Sequence, residues 1–161
     1  MKNSFETIPL PDFECSLVSQ IDSEITQKSI RLTDFTGGEQ GLILYFYPKD
    51  STAGCTVQAT DFTALTDKFT QKGYTIIGVS RDGVKSHQNF ICKKELGIGL
   101  ISDTDERLCQ HFDVIKEKMM YGKTHLGVVR STFVFDKNGQ MTASYRNIKA
   151  KDHAQALLDL L

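Results

Sequence analysis

Two apolar runs, residues 41–47 and 74–80, constrain the fold of this chain more than any other feature. An apolar run of this length is typical of a strand that is buried on both faces of a sheet. Pro48 ends the first run, and Gly73 precedes the second as a plausible helix stop. Between the runs, apolar residues repeat at helical spacing: Phe62, Leu65 and Phe69. A strand, a helix and a strand in this order predict a right-handed crossover with parallel strand pairing.

The rest of the chain predicts further elements of the same α/β class. The Asn138-Gly139 pair is a strong signal for a hairpin turn. The remaining predicted elements are an N-terminal hairpin at 13–18 and 24–30, a helix at 84–96 ended by Gly97, a strand at 100–103, a helix at 105–112 with acids in its first turn, hairpin strands at 130–135 and 141–145, and a closing helix at 152–161. We therefore expect one domain over residues 1–161, with a mixed central sheet, helices on both faces and an N-terminal β-hairpin.

Residues 116–121 combine a charged stretch with three larger, mostly apolar side chains. The charged stretch 116–118 predicts a solvated loop or face. The three residues that follow, Met119, Met120 and Tyr121, fit either an apolar rim beside a functional site or a piece of the core.

The charge balance and the termini exclude several classes of partner. Lys and Arg number 19 against 20 Asp and Glu, so the net charge is −1 and gives no electrostatic reason to expect nucleic acid or an anionic membrane. The longest unbroken apolar run, 42–47, is far short of the ~20 residues of a membrane span. No apolar segment follows the charged N-terminus, so we expect no secretory signal and a cytosolic protein.

Four cysteines, at positions 15, 55, 92 and 109, form neither a Cys-x-x-Cys pair nor a zinc-ligand pattern. The histidines at 87, 111, 125 and 153 are scattered, and we expect them to be non-catalytic. Gly37-Gly38 lacks the pattern of a phosphate-binding loop. We predict no metal and no organic cofactor. The cysteines are then either buried small hydrophobes, or at least one of them is a chemical group.

Cys55 differs from the other cysteines in its predicted placement. The first apolar run ends at Pro48, a polar turn follows, and the next helix begins around Cys55. Ligands of open α/β sheets bind beyond the carboxyl ends of strands, and a helix N-terminus stabilises a thiolate over a thiol. An ordinary cysteine is only about 3% ionised at pH 7, so such a site would greatly enrich the nucleophile. The alternative is that Cys55 only packs beneath the helix.

The stretch 45–56 resembles the peroxiredoxin active-site signature Pro-x-x-x-Thr-x-x-Cys, and is most similar to the bacterioferritin comigratory protein / peroxiredoxin Q branch. The likeness continues through residues 102–103, 112–118, 120–123 and 130–133, in the same order as in the family. Several separate motifs in order are a more specific signal than one short pattern. The resemblance implies a thioredoxin-like fold.

The resemblance also implies a role for each matched residue. Cys55 corresponds to the peroxidatic cysteine, which attacks a peroxide and becomes a sulfenic acid. Thr52 would hydrogen-bond the thiolate and the peroxide, and Pro48 would shield the site and shape its loop. Arg130 corresponds to the family's active-site arginine, which would favour the thiolate and stabilise charge on the leaving oxygen.

The resolving cysteine is less clearly matched. Many family members carry it five residues after the peroxidatic one, where this chain has Thr60. Others carry it in the following helix, near Cys92, which is our preferred candidate ahead of a mechanism without an internal resolver and then Cys109. Cys15 is expected to be a strand residue. Gln58 stands where relatives often have an acid, and no role is predicted for it.

We therefore predict a thiol-dependent peroxidase that reduces hydrogen peroxide and organic hydroperoxides through a sulfenic acid and a Cys55–Cys92 disulfide. Family likeness implies thioredoxin, or a glutaredoxin system, as the reductant, and a monomer. The first alternative is a non-catalytic peroxide sensor or holdase that uses the same cysteine. The second is a flavodoxin-like binding module, which only the strand–helix–strand pattern supports.

Overall fold

The computed structural model describes residues 1–161, except for the side chain of Met120. The strands are β1 (Cys15–Ile21), β2 (Glu24–Ile30), β3 (Gly41–Phe46), β4 (Tyr74–Ser80), β5 (Gly99–Ser102), β6 (Ile115–Met120), β7 (Lys123–Val128), β8 (Ser131–Phe135) and β9 (Met141–Tyr145). The helices are α1 (Ala53–Gln71), α2 (Val84–Lys94), α3 (Arg107–His111) and α4 (His153–Asp159), and a 3-10 turn covers Leu32–Phe35. None of the helices that the structure describes is long and apolar enough to cross a membrane.

The central sheet has the strand order β2-β1-β5-β4-β3-β8-β9. Strand β4 pairs in parallel with β3 and with β5, whereas the hairpin partners β1 and β2, and β8 and β9, run antiparallel. The predicted mixed sheet, the parallel pairing of the two apolar runs and the N-terminal hairpin are confirmed.

Strand β3 is buried on both faces and forms the centre of the molecule. Ile43 and Tyr45 contribute to one core cluster, and Leu42, Leu44 and Phe46 contribute to the other. Helices α1, α2 and α4 pack on the first face, and α3 and the 3-10 turn pack on the second. The prediction of helices on both faces is therefore confirmed.

Three helices differ from the predictions at a boundary. Helix α4 ends at Asp159 and not at residue 161. Helix α2 ends at Lys94 and not at residue 96, because Glu95 takes the left-handed conformation (φ 50°) that terminates it. Helix α3 begins at Arg107 and has no acid in its first turn, so that prediction is wrong. The acid at this helix terminus is Asp103, whose carboxylate accepts the backbone N–H groups of Leu108 and Cys109 at 2.9 and 2.8 Å.

The hairpin of β6 and β7 was not predicted. The two strands form their own small sheet around a turn in which Tyr121 and Gly122 both have positive φ, 53° and 75°. Lys116, Glu117 and Lys118 thus lie in a strand, where the sequence predicted a solvated loop or face. Met119 (78% exposed) and Tyr121 (97% exposed) are not core, whereas the expectation for Met120 lies outside the described residues. The hairpin exposes most of its side chains, so it carries no buried stripe that a sequence pattern could indicate.

Replacing Gly41 by alanine should destabilise the protein by about 1–3 kcal/mol, because the added Cβ would collide with the backbone carbonyl of Phe135 on β8. Gly38→Ala is the matched control, since a Cβ there meets nothing within 4 Å, and its effect should stay below about 1 kcal/mol. Chemical denaturation of both variants measures the difference. Equal stabilities would contradict the tight β3–β8 packing.

Candidate active site

The sulfur of Cys55 lies in the first turn of α1. Strand β3 ends at Phe46, a short loop follows, and α1 begins at Ala53 with Thr52 as its cap. Ser51 turns the chain into the helix with a positive φ of 64°. Cys55 is only 1% exposed. Because the first N–H groups of a helix have no acceptor within it, the sulfur lies at the positive end of the helix dipole, as predicted for a thiolate.

Arg130 contacts this sulfur although it is distant in sequence. Its Nη2 donates a hydrogen bond to Cys55 Sγ at 3.4 Å across 75 positions of chain. The antiparallel pairing of Phe46 with Ser131 explains the placement, because Arg130 directly precedes β8 and so lies where β3 ends. At Gly54, an added Cβ would lie 3.3 Å from the guanidinium, so a small residue permits this approach.

Gln58 is a site residue that the sequence analysis missed. It is fully buried, lies one helical turn after Cys55, and its Oε1 accepts a hydrogen bond from Arg130 Nη1 at 2.5 Å. Arg130 thus donates one nitrogen to the sulfur and the other to the amide. The Cys-x-x-Gln spacing places both side chains on one helix face. This spacing was the only feature of the sequence that could have indicated Gln58 as a site residue.

Thr52 and Pro48 lie in the loop before α1. The Thr52 hydroxyl donates to the Lys49 carbonyl at 2.8 Å, and the Thr52 carbonyl accepts from the backbone N–H of Thr56 at 2.9 Å. Among the described side chains, Thr52 makes no hydrogen bond to Cys55. Pro48 is half-buried at the end of β3. Both residues therefore shape the loop that carries the sulfur into the helix.

The four cysteines occupy different environments, and all are free thiols. Cys92 is exposed on α2, next to the fully buried Ile91. Burial raises the pKa of the Cys15 thiol to about 11. Burial, followed by the hydrogen-bonded Asp103, raises the pKa of Cys109 further. Cys15 and Cys109 therefore stay protonated at neutral pH, and neither is activated as a nucleophile.

Two other basic groups respond to the charge of Arg130. Burial, and then Arg130, lower the pKa of His153 to about 4, so this imidazole is neutral at pH 7. Its Nε2 lies 2.9 Å from the Thr132 hydroxyl. Burial, and then Arg130, also lower the pKa of the Lys118 amine on β6. His153 therefore adds no positive charge at the site, whereas the Lys118 amine is close enough for a charge on Cys55 to raise its pKa.

A cleft of 610 Å³ is lined by the two chain neighbours of Arg130, but neither Arg130 nor Cys55 lines it. Val129 and Ser131, which flank Arg130, form one side of the cleft, and Lys118 and Met119 of the β6–β7 hairpin form another. Among the described side chains, no group of three or more His, Cys, Asp or Glu residues is arranged to hold a metal ion. The site therefore offers a thiol, a guanidinium and an adjacent groove.

Replacing Gln58 by methionine, which has a similar shape but no amide oxygen, should slow alkylation of Cys55 at pH 7 about three- to tenfold, because Arg130 loses the acceptor that orients it. The rate is measured by mass spectrometry with iodoacetamide. Gln155→Met on the exposed side of α4 is the control and should keep the wild-type rate. An unchanged rate in Gln58→Met, alongside a slowed Arg130→Gln variant, would show that Gln58 does not position the arginine.

Comparisons with known proteins agree with this geometry. The AhpC/TSA family model matches residues 8–144. The chain is 53% identical over 120 residues to peroxiredoxin Bcp of Xanthomonas campestris, covering 74% of this chain and 75% of that protein. It is 40% identical over 134 residues to peroxiredoxin Bcp of Bacillus subtilis, covering 83% and 84%.

Solved structures show the same relationship. Peroxiredoxin Q of X. campestris superposes with a TM-score of 0.84 at 44% identity, covering 95% of this chain and 94% of that one. A trapped intermediate/ligand complex of the X. campestris bacterioferritin comigratory protein, solved to study its alkyl peroxide reduction activity, has a TM-score of 0.84 at 43% identity and covers 99% and 96%. The predicted thioredoxin-like peroxiredoxin fold is thus confirmed, and the chain belongs to the AhpC/TSA family as a peroxiredoxin of the Bcp / peroxiredoxin Q type.

Proposed function

We propose that Cys55 is the nucleophile with which this thiol-dependent peroxidase reduces hydrogen peroxide and organic hydroperoxides. The observation that carries the proposal is the 3.4 Å contact between Arg130 Nη2 and a sulfur held at a helix N-terminus. The thiolate attacks one peroxide oxygen, the O–O bond breaks, and the other oxygen leaves as water or an alcohol after taking up a proton. Cys55 is then a sulfenic acid.

The neighbouring residues assist this step through charge and shape. The Arg130 guanidinium stabilises the thiolate and the negative charge that develops on the leaving oxygen. Thr52 uses its hydroxyl for the bond to Lys49, which leaves the hydroxyl oxygen able to accept a hydrogen bond from an incoming peroxide. Pro48 shields the sulfur at the end of β3. These assignments are extended from the family to matching positions of this chain.

The cleft lined by Val129 and Ser131, the chain neighbours of Arg130, supports organic hydroperoxides as substrates. Its volume of 610 Å³ exceeds what hydrogen peroxide needs, and Val129 and Met119 give it apolar surface. The related X. campestris protein has alkyl peroxide reduction activity. We propose that the cleft holds the organic part of a hydroperoxide while its O–O bond reaches Cys55.

We propose Cys92 as the resolving thiol. It is exposed, whereas Cys15 and Cys109 are buried thiols with raised pKa values. A disulfide requires Cα atoms within about 7 Å, and the Cys55 side chain is buried in the first turn of α1. The start of α1 and the part of α2 around Cys92 must therefore unwind locally. The Cys92 thiol then displaces the sulfenic oxygen, which leaves as water while the S–S bond forms.

We propose that a dithiol protein of the cytosol, thioredoxin or alternatively glutaredoxin, reduces this disulfide. Exchange needs an accessible sulfur, and Cys92 supplies one on the surface of α2. Arg130 contacts both Cys55 and Gln58 within the chain, and we propose that the protein acts as a monomer.

Cys55→Ser should lower peroxide consumption to background, because the nucleophile is gone. Cys92→Ser should retain one rapid sulfenate-forming turnover but recycle about tenfold or more slowly with thioredoxin. Cys109→Ser is the control and should keep full turnover, since its thiol is buried and protonated. NADPH oxidation coupled through thioredoxin reductase measures all three variants.

Each alternative gives a different result in the same assay. Residual activity in Cys55→Ser would contradict the choice of nucleophile. Normal recycling in Cys92→Ser would show that another thiol, or an external one, resolves the sulfenic acid. Sulfenate formation without NADPH oxidation in the wild-type protein would favour a sensor or holdase.

A further inference from the structure

A buried polar cluster joins the Cys55 loop to helix α2. We call Tyr47, Asp50, Ser86 and His87 the Asp50 cluster. The Asp50 carboxylate accepts the Tyr47 hydroxyl at 2.6 Å and the Ser86 hydroxyl at 2.8 Å, and it lies 2.7 Å from His87 Nδ1. The side chains of Asp50 and His87 are 2% and 0% exposed. None of these four side chains takes part in the proposed peroxide chemistry.

Hydrogen-bond partners define the proton content of the Asp50–His87 pair. His87 Nε2 lies 3.0 Å from the Ile101 carbonyl, which can only accept, so Nε2 carries a proton. A second proton must lie between His87 Nδ1 and the Asp50 carboxylate to join them at 2.7 Å. The pair is neutral overall, either as an ion pair or as an acid and an imidazole. The pair can therefore be buried while both side chains are present. Loss of either side chain leaves the other buried without its partner, which destabilises the protein strongly.

The cluster connects the two segments that the proposed reaction must separate. Asp50 precedes Cys55 by five residues in the loop after β3, and His87 precedes Cys92 by five residues in α2. Asp82, in the loop before α2, strengthens the link because its carboxylate accepts the Asp50 backbone N–H at 2.9 Å. The Ser80 hydroxyl holds that carboxylate at 2.7 Å. Loop and helix are thus joined by side-chain, backbone and charge-assisted bonds.

We propose that the Asp50 cluster is a latch that sets how long the oxidised Cys55 stays in its pocket before it meets the resolving thiol. The inference rests on the proposed function. While the latch is closed, Cys55 remains under Arg130, where it reacts with peroxide. Asp50, Ser86 and His87 act as positioning residues, because none of them touches the reacting sulfur in the described structure.

The latch controls a competition between two reactions of the sulfenic acid. In resolution, a thiol displaces the sulfenic oxygen as water and forms a disulfide. In overoxidation, the sulfenate attacks a second hydroperoxide, gains one oxygen to become a sulfinic acid, and releases water or an alcohol. The second reaction needs the sulfur in its pocket, whereas the first needs it outside. A stronger latch therefore favours sulfinic acid, and a weaker latch favours disulfide.

The experiment measures the ratio of sulfinic acid to disulfide by intact mass spectrometry after a pulse of hydrogen peroxide. Asp50→Asn should lower this ratio about tenfold, because an amide has one acceptor oxygen where the carboxyl group has two, and Tyr47, Ser86 and His87 bond to both of them. Ser86→Ala, which removes one donor and leaves the pair intact, should lower it by a smaller amount, about threefold. The rate at which peroxide first oxidises Cys55 should also fall, more in Asp50→Asn than in Ser86→Ala, because Cys55 occupies its pocket for a smaller fraction of the time.

Asp103→Asn is the matched control. It makes the same chemical change at a buried carboxylate, but Asp103 holds the N-terminus of α3 on the opposite face of the sheet. Its ratio should equal that of the wild type even if its stability falls. A role of the Asp50 cluster in general stability would instead move all three variants in proportion to their unfolding free energies.

An unchanged ratio in Ser86→Ala or in folded Asp50→Asn would overturn the latch, and so would an increased ratio. If Asp50→Asn does not fold, Ser86→Ala alone decides the outcome. Failure of the proposed function looks different, because wild-type Cys55 would then form no sulfenic acid, sulfinic acid or disulfide with peroxide. If the wild type oxidises normally and the variants show the same ratio of sulfinic acid to disulfide as the wild type, the latch is contradicted and the proposed function is not.

Discussion

The contact between Arg130 and Cys55 is the interaction on which the rest of the site depends. It joins positions 75 residues apart, and three separate features of the fold produce it. Pairing of β8 with β3 places Arg130 at the end of β3. The start of α1 places the Cys55 sulfur at the same end, and Gln58 accepts a hydrogen bond from the guanidinium. A positive charge beside a sealed sulfur stabilises its anion, which is the reactive form.

The Cys55 sulfur is buried where it attacks peroxide, but it must become accessible before it can form a disulfide with the resolving thiol. Arg130 and the helix terminus favour the pocket, and the Asp50 cluster adds polar bonds between the loop and α2. Both sets of bonds act on short segments rather than on the central sheet, where β3 is buried on both faces. The fold can therefore open locally at the site while its core stays intact.

Sequence patterns predicted the parts of the fold whose burial is continuous or alternating. Strands β3 and β4 were evident because they are mostly apolar, and Asn138-Gly139 indicated the hairpin of β8 and β9. The β6–β7 hairpin escaped prediction because its charged residues face solvent. At the site, Cys55 was predicted from its place at a helix start and from motif likeness, Arg130 from motif likeness alone, and the structure brings them together. Gln58 and the Asp50–His87 pair could not be predicted, since only tertiary packing reveals that a polar side chain is buried and partnered.

The charge state of the Cys55 sulfur at neutral pH is the most direct test of this account. The thiolate absorbs in the ultraviolet, so the difference in absorbance between the wild type and Cys55→Ser, followed across pH, isolates this one group. We expect the Cys55 signal at pH 7 to shrink when Arg130, which donates to this sulfur, is replaced by glutamine. A signal that does not respond to the loss of Arg130 would contradict the account.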